Sequence, residues 1–124
     1  MNEKKTILIV EDEPTNAEIA QIICERSGYL TLMAVNGVEA IARAHEGPVD
    51  LILMDILLPL KDGLEATREL KLDPTTAFIP IIAVSARASH AQREEMLQAG
   101  MVETIVKPYR SSELQASIAR WINN

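Results

Sequence analysis

The sequence predicts an α/β domain: a doubly wound sheet of five parallel strands with helices on both faces. Two observations support this fold class. Short apolar runs alternate about five times with segments whose apolar residues recur at helical spacing, within a chain of 124 residues. The apolar runs are also nearly continuous, which is typical of strands that are covered by helices on both faces. Right-handed crossovers between such strands give the doubly wound arrangement.

The first strand and helix are predicted from TILIV at residues 6–10 and from the segment 14–27. Pro14 suits a first helical turn, because its missing N–H would have no helical partner there, and Gly28 suits a helix stop. The residues predicted to share one face of this helix are Ile19, Ile22 and Ile23.

The second strand and helix are predicted from YLTLMAV at residues 29–35 and from NGVEAIARAHE at residues 36–46. Asn36 can cap this helix, because its side-chain oxygen can accept a hydrogen bond from an N–H of the first turn. The residues predicted to face inward are Val38, Ile41 and Ala42.

The remaining three units follow the same pattern. Their strands are predicted from DLILMD at residues 50–55, IPIIAVSA at 79–86 and VETIVKP at 102–108. A helix follows each strand, and the fourth helix is predicted to stop at Gly100. The residues at helical spacing are Leu64, Thr67 and Leu70 in the third helix, and Leu114, Ile118, Trp121 and Ile122 in the fifth.

Length and composition exclude several classes of protein. A chain of 124 residues fits one domain, residues 1–124. The net charge of −6 argues against a basic surface for duplex nucleic acid, so no direct nucleic acid binding is expected. Cys24 is the single cysteine, which rules out an internal disulfide and suits core packing in a reducing cytoplasm. No apolar run approaches the ~20 residues of a membrane span, so we expect a cytoplasmic protein without membrane contact.

Polar side chains follow four of the predicted strands, at the sheet edge where such folds bind ligands. Glu11 and Asp12 follow the first strand, Asp55 the third, Ser85 the fourth and Lys107 the fifth. Taken singly, the two leading acids could merely favour the N-terminus of the next helix, and the lysine could be a solvated surface charge. Asp55 is harder to explain in this way, because it directly follows four apolar residues and burying an unpaired carboxylate is costly.

As a group, these residues indicate phosphoryl-transfer chemistry. Carboxylates that meet at one sheet edge repel each other, and Mg²⁺ suits one or two carboxylates together with waters and a phosphate. A metal, a lysine and a hydroxyl can neutralise the equatorial oxygens of a phosphoryl group while a nucleophile attacks in line. Asp55 is the candidate nucleophile, which would form an aspartyl phosphate.

The sequence resembles the receiver domain of two-component response regulators over essentially its whole length. Four blocks in the order and at the spacing of that family carry the resemblance: ILIVEDE at 7–13, DLILMDILLPLKDGLEATRELK at 50–71, IPIIAVSA at 79–86 and VKPY at 106–109. The resemblance implies the flavodoxin-like receiver fold.

The resemblance also implies a role for each candidate residue. Asp55 is similar to the phosphoacceptor of the family, Ser85 to its switch hydroxyl, and Lys107 to the lysine that pairs with the phosphoryl group. The implied Mg²⁺ ligands are the carboxylates of Glu11, Asp12 and Asp55 and the backbone carbonyl of Leu57. Lys107–Pro108 matches the usual cis peptide of the family, and Asp62–Gly63 matches the turn into the third helix.

Some positions depart from the family pattern. Thr104 stands where the family commonly has a tyrosine or phenylalanine that reports phosphorylation, and Tyr109 is too differently placed to be taken as its substitute. Leu57 and Arg87 stand at the two positions that tune the lifetime of the phosphoryl group in this family. Our hypothesis is that the bulky Leu57 restricts attacking water and lengthens that lifetime.

The preferred hypothesis is a signalling switch. A histidine kinase or histidine phosphotransfer domain would donate a phosphoryl group to Asp55, and the new charge would draw Ser85 and the fourth helix into another arrangement. The chain ends just after the predicted fifth helix, so we expect a stand-alone domain without an output domain. It would regulate a protein partner by docking through its fourth and fifth helices. We expect self-catalysed phosphorylation and dephosphorylation with Mg²⁺, but no enzyme in the usual sense.

Two alternatives stay open at this point. A phosphohydrolase of the haloacid-dehalogenase type would also use an aspartate nucleophile, but it needs a second aspartate two residues later, where Leu57 stands. A receiver-like binding module that is never phosphorylated is countered by the intact set of candidate residues. A nucleotide-binding protein is disfavoured, because neither G-x-G-x-x-G nor G-x-x-x-x-G-K-[ST] occurs in the sequence.

Overall fold

The computed structural model describes residues 4–86 and 88–122, and within them five parallel strands form one sheet in the order β2-β1-β3-β4-β5. The strands are β1 (Thr6–Val10), β2 (Leu30–Ala34), β3 (Leu51–Asp55), β4 (Ile81–Ser85) and β5 (Glu103–Val106). The helices are α1 (Pro14–Arg26), α2 (Gly37–Glu46), α3 (Gly63–Leu72), α4 (His90–Ala99) and α5 (Ser111–Ile122). The predicted fold class is confirmed. No helix in these two ranges has the length and apolar character that a bilayer span requires.

The hydrophobic core has two halves, one on each face of the sheet. Because successive strand residues point to opposite faces, Leu8 and Ile52 pack on the side of α2, α3 and α4. Ile9 and Leu53 pack on the other side, against α1 and α5. The three central strands are buried along their whole length. Helices therefore cover both faces, as the continuous apolar runs predicted.

Helix α1 begins and ends where the sequence predicted, but part of its predicted buried face was wrong. Pro14 lies in the first turn, and Gly28 takes a left-handed φ of 94° just beyond the helix. Ile23 is buried, whereas Ile19 and Ile22 are 46% and 41% exposed. The other buried residues of α1 are Ala17, Ala20 and Cys24. Because these small side chains face the sheet, the helix lies close to it. The bulkier Ile19 and Ile22 face a cleft between α1 and α5 instead.

Helix α2 is rotated relative to the prediction. Asn36 caps it as expected, accepting a hydrogen bond from the Glu39 N–H at 2.8 Å. Val38 and Ala42 are exposed and Ile41 is half-buried, so the predicted inward face was wrong for the first two. The residues that α2 buries are Gly37, Ala40 and Ala44. A Cβ on the glycine would overlap the Lys61 carbonyl oxygen, so this close approach to the β3–α3 loop fixes how the helix sits.

The inward faces of α3 and α5 are confirmed. Thr67 and Leu70 are buried in α3, and Leu64 packs against the core. In α5, Leu114, Ile118 and Ile122 are buried and Trp121 packs beside them.

Helix α4 is bounded as predicted. Gly100 ends it in the left-handed conformation, with φ 115°. A capping box of Ser89 and Gln92 begins it.

The α3–β4 loop, at the end of the sheet away from the strands' carboxyl ends, is held by polar contacts. Lys71 Nζ donates to the carbonyl oxygens of Ala77 and Ile79 at 2.9 and 2.6 Å, and burial lowers the pKa of Lys71. Across from it, His45 Nε2 lies 2.7 Å from Asp73 Oδ2 and so joins α2 to the start of the loop. These contacts were not predicted, because the partners lie on separate elements.

Candidate functional site

The parallel pairing of the strands brings the predicted site residues to one edge of the sheet. In register, Val10 pairs with Met54, and Asp55 with Val84 on the next strand. Ser85 is the last residue of β4 and pairs with Val106, which directly precedes Lys107. The carboxyl ends of β1, β3, β4 and β5 therefore meet, and the chemistry-bearing residues predicted there lie on neighbouring strands.

Three carboxylates form a cluster at this edge. Glu11, Asp12 and Asp55 each offer a carboxylate oxygen within 4.8 Å of the other two. Asp12 is exposed, whereas Glu11 and Asp55 are only 7% and 8% exposed. Carboxylate oxygens at such spacing are the ligands that a hard divalent cation prefers, and the open side at Asp12 leaves room for water. The donor set present in this structure therefore fits Mg²⁺.

Lys107 bridges the two buried acids of the cluster. Its Nζ donates to Glu11 Oε1 at 2.7 Å and to Asp55 Oδ2 at 3.1 Å. Burial alone would lower the pKa of Lys107, but the hydrogen bonds to Glu11 and Asp55 outweigh burial and raise it. The ammonium therefore stays charged. The Lys107–Pro108 peptide is cis, as the resemblance implied.

Glu11 responds to the same surroundings in the opposite sense. Burial raises the pKa of Glu11, the hydrogen bond from Lys107 lowers it, and the neighbouring charge of Asp55 raises it again. The net direction is upward. Burial and the nearby Asp55 thus disfavour the ionised form of Glu11, and a divalent cation bound between the two carboxylates would favour it.

The loop after β3 positions a backbone group beside Asp55. The Leu57 N–H donates to Asp55 Oδ1 at 3.3 Å, while the Leu57 side chain is 80% exposed. Gly63 lets α3 begin directly against this strand end, because a Cβ there would overlap the Asp55 carbonyl oxygen. Asp62 caps α3 by accepting the Glu65 N–H at 2.9 Å. The predicted turn into α3 is confirmed.

Ser85 borders a cleft that the sequence did not reveal. The cleft has a volume of about 170 Å³ and lies between the β3–α3 loop and α4. Its lining includes Leu57, Ser85 and Met96. Behind it, the Thr104 hydroxyl donates to Met96 Sδ at 3.2 Å. Sequence reasoning identified Thr104 as unusual but missed Met96, because only the fold brings α4 and β5 together.

Tyr109 lies on the other side of the sheet from this cleft. It packs with the α1–α5 half of the core, and burial raises the pKa of its hydroxyl. It also lines a cavity of about 390 Å³ with Lys107 and Ile19. Thr104 instead contacts α4, so the two residues face different halves of the core.

Arg87, the other residue predicted to affect phosphoryl lifetime, lies outside the described residues.

Together, the fold and the site define a class of protein: small α/β domains with a carboxylate and lysine site at the carboxyl edge of a parallel sheet. Within that class, the sequence pattern of the response regulator receiver domain matches residues 7–119. The chain belongs to the response regulator receiver domain family.

Similar proteins agree with this assignment. The polar-differentiation response regulator DivK of Brucella anthropi is 44% identical over 104 residues, which cover 84% of this chain and 85% of the relative. The receiver domain of the sensor histidine kinase PA1611 from Pseudomonas aeruginosa is 38% identical, with a TM-score of 0.91, and the match covers 98% of this chain and 100% of that one. That structure has a magnesium ion coordinated in its active site cleft. A putative response regulator from Chloroflexus aurantiacus superposes with a TM-score of 0.94 at 26% identity, covering 98% of this chain and 100% of that one.

Membership of this family places the chain in two-component signalling. Receiver domains are signalling switches rather than enzymes in the usual sense, and they work with histidine kinases and downstream targets. The phosphohydrolase hypothesis is therefore set aside.

Proposed function

We propose that the protein is a phosphorylation-dependent switch in which Asp55 accepts a phosphoryl group from a histidine kinase or histidine phosphotransfer domain. The P–N bond of the donor phosphohistidine breaks, a P–O bond to the Asp55 carboxylate forms, and the imidazole leaves with the electrons of the broken bond. The observation that carries this proposal is Lys107, whose ammonium contacts both Glu11 and Asp55 at the sheet edge. A fixed positive charge at that point stabilises a phosphoryl group on Asp55.

We further propose that Glu11, Asp12 and Asp55, with the backbone carbonyl of Leu57, hold Mg²⁺. When bound, Mg²⁺ supplies positive charge that neutralises the oxygens of the phosphoryl group. The carboxylate oxygens within 4.8 Å of one another support this ligand set. The hydrogen bond from the Leu57 N–H to Asp55 supports the inclusion of Leu57, because it holds the backbone of this residue beside the acceptor.

Two residues of the chain respond to the added phosphoryl charge. Ser85 lies on β4, next to the strand of Asp55, and its hydroxyl can donate a hydrogen bond to a phosphoryl oxygen. Lys107 pairs with the extra negative charge. A change at Ser85 passes to α4, which follows β4 in the chain. The switched surface is the face of α4 and α5, where a downstream protein docks.

The same residues account for self-catalysed chemistry. Small phosphodonors react when the acceptor carboxylate, the lysine and the metal ligands are already in position. In dephosphorylation, water attacks the phosphorus, the P–O bond to the Asp55 carboxylate breaks, and inorganic phosphate is released. Residues 1–124 act as a single receiver domain in this proposal. The site of action is the cytoplasm, where the lone buried thiol of Cys24 stays reduced.

Intact mass spectrometry tests the proposal directly. The protein is incubated with Mg²⁺ and acetyl phosphate, and the expected product is one phosphoryl adduct on the parent chain. Asp55→Asn should give no adduct, whereas the matched variant Asp73→Asn, at the far end of the fold, should react as the parent does. If acetyl phosphate gives no adduct, a phosphorylated histidine kinase is used instead. No adduct from either donor would favour a receiver-like module that is never phosphorylated.

A further inference from the structure

Helix α4 contributes one large side chain to the buried core. The buried residues among its ten are Met96 and Ala99, and Met96 is 3% exposed. Helix α5, on the other face, buries Leu114, Ile118 and Ile122. Elements that bury few apolar side chains are the ones that move at low energetic cost. The position of α4 therefore depends mainly on the side chain of Met96.

The thioether of Met96 has a specific partner on the sheet. The hydroxyl of Thr104, in β5, donates to Met96 Sδ at 3.2 Å. A thioether sulfur is a weak acceptor, so this contact orients the methionine but can be exchanged for another arrangement easily. Methionine is also unbranched, with three rotatable bonds, and adapts to irregular spaces. The contact can therefore hold the Met96 side chain in one position and still let it move to another.

A second space for the methionine lies next to it. Met96 lines the cleft of about 170 Å³ that also contacts Ser85 and Leu57. A cavity of ~150 Å³ is large enough to take up a benzene molecule, so the cleft can accept the end of a methionine side chain. Ser85, which forms one wall of this cleft, is expected to move toward Asp55 on phosphorylation. The shape of the cleft and the state of the acceptor are thereby linked.

We propose that Met96 transmits the state of Asp55 to α4, and that its contact with Thr104 holds the unphosphorylated arrangement. The inference rests on the function proposed above. When Ser85 turns toward a phosphoryl group, the wall of the cleft changes, and the Met96 thioether leaves Thr104 and enters the cleft. Helix α4 moves with it, because no other large side chain of the helix is buried.

Methyl NMR of methionine-labelled protein tests this inference. The chain has five methionines, and Met96→Leu assigns the signal of interest. Beryllium fluoride with Mg²⁺ serves as a stable mimic of the phosphoryl group, and fluorine NMR of bound fluoride reports whether it binds. The Met96 methyl signal is expected to shift on binding in the parent and to stay unchanged in Asp55→Asn. Met33, on the edge strand β2, is the internal control and should not shift.

Two variants of Thr104 separate the contact from general packing. Thr104→Val keeps the branched shape without the donor. In this variant, the Met96 methyl signal without beryllium fluoride should move toward the chemical shift that the parent shows with beryllium fluoride bound. Thr104→Ser restores the hydroxyl and should return the signal toward that of the parent. Bound fluoride with an unchanged Met96 signal would overturn this inference and leave the proposed function standing. Absence of bound fluoride in the parent would overturn both.

Discussion

Lys107 reaches across the site to Glu11, with its Nζ 2.7 Å from Glu11 Oε1, although the two residues are 96 positions apart in the chain. The glutamate follows β1 and the lysine follows the edge strand β5, so this ion pair spans the carboxyl ends of β3 and β4, which lie between them in the sheet. The distance is shorter than that from the same nitrogen to Asp55, which is 3.1 Å. The lysine therefore has a structural role as well as facing the acceptor.

Replacing Lys107 should destabilise the fold. In Lys107→Met the two buried acids lose their counter-charge, and we expect the free energy of unfolding to fall by roughly 1–3 kcal/mol, the cost of leaving buried polar groups unsatisfied. Urea unfolding measures the change. The matched control is Lys61→Met, whose ion pair with Glu69 is more exposed and should contribute less than about 1 kcal/mol. Adding Glu11→Gln to Lys107→Met should recover part of the loss, and equal losses in the two lysine variants would contradict the prediction.

Mg²⁺ should stabilise the folded protein. A cation that binds only the native state at ten times its Kd adds about 1.4 kcal/mol to the free energy of unfolding. We expect a rise in Tm of a few degrees with added MgCl2, relative to NaCl of equal ionic strength, in a thermal melt. The rise should be much smaller in Asp12→Asn, because the exposed acid of the cluster is lost while the buried ion pairs remain. An equal rise in the parent and in this variant would argue that the ion binds elsewhere.

Strand ends were the most predictable part of this protein. Each apolar run marks a strand, and the polar residue that follows it must lie at the carboxyl edge of a parallel sheet. For that reason Asp55 and Lys107 could be placed together although they are 52 positions apart in the chain. The short-range signals of helix ends, such as Asn36 and Gly100, were equally informative, because caps depend on local backbone geometry.

Helix rotation and contacts between elements were less predictable. In α1 and α2, alanine and glycine lie against the sheet, and the larger apolar residues Ile19 and Val38 were wrongly predicted to face inward. The contact between Thr104 and Met96 depends on how α4 lies against β5. Neither partner carries a sequence pattern that signals the other. Such features follow from packing, which a single sequence does not specify.

The contact between His45 and Asp73 should make stability depend on pH. Both ring nitrogens of His45 face acceptors: Nδ1 is 2.9 Å from the Ile41 carbonyl oxygen and Nε2 is 2.7 Å from Asp73 Oδ2. Only the doubly protonated ring can donate to both. Accordingly, the hydrogen bond to Asp73 raises the pKa of His45 above 6.5, and the same bond lowers the pKa of Asp73 to about 2.

The sign of each shift defines the pH range of the effect. The contribution of His45 is complete below its ordinary pKa of 6.5 and is lost as pH rises through the higher folded value. That of Asp73 is complete above its ordinary value of 3.8 and is lost as pH falls toward about 2. Relative to His45→Ala, the parent should therefore have its largest Tm advantage between about pH 4 and 6.5 in melts over a pH series. An advantage that instead grew above pH 8 would contradict this assignment.

Leu57 should control how long the phosphoryl group persists. Its N–H donates a hydrogen bond to Asp55 Oδ1, so the residue lies beside the acceptor, and we expect its bulky apolar side chain to hinder the approach of water. In Leu57→Asn a smaller, polar side chain can admit and orient water, and we expect several-fold faster loss of the adduct. Intact mass measured over time after removal of acetyl phosphate gives the rate. The control is Leu60→Asn in the same loop, which is equally exposed and whose positive φ of 66° asparagine tolerates. Loss from Leu57→Asn no faster than from the parent would refute the role of Leu57, and equal acceleration in both variants would assign the effect to the loop as a whole.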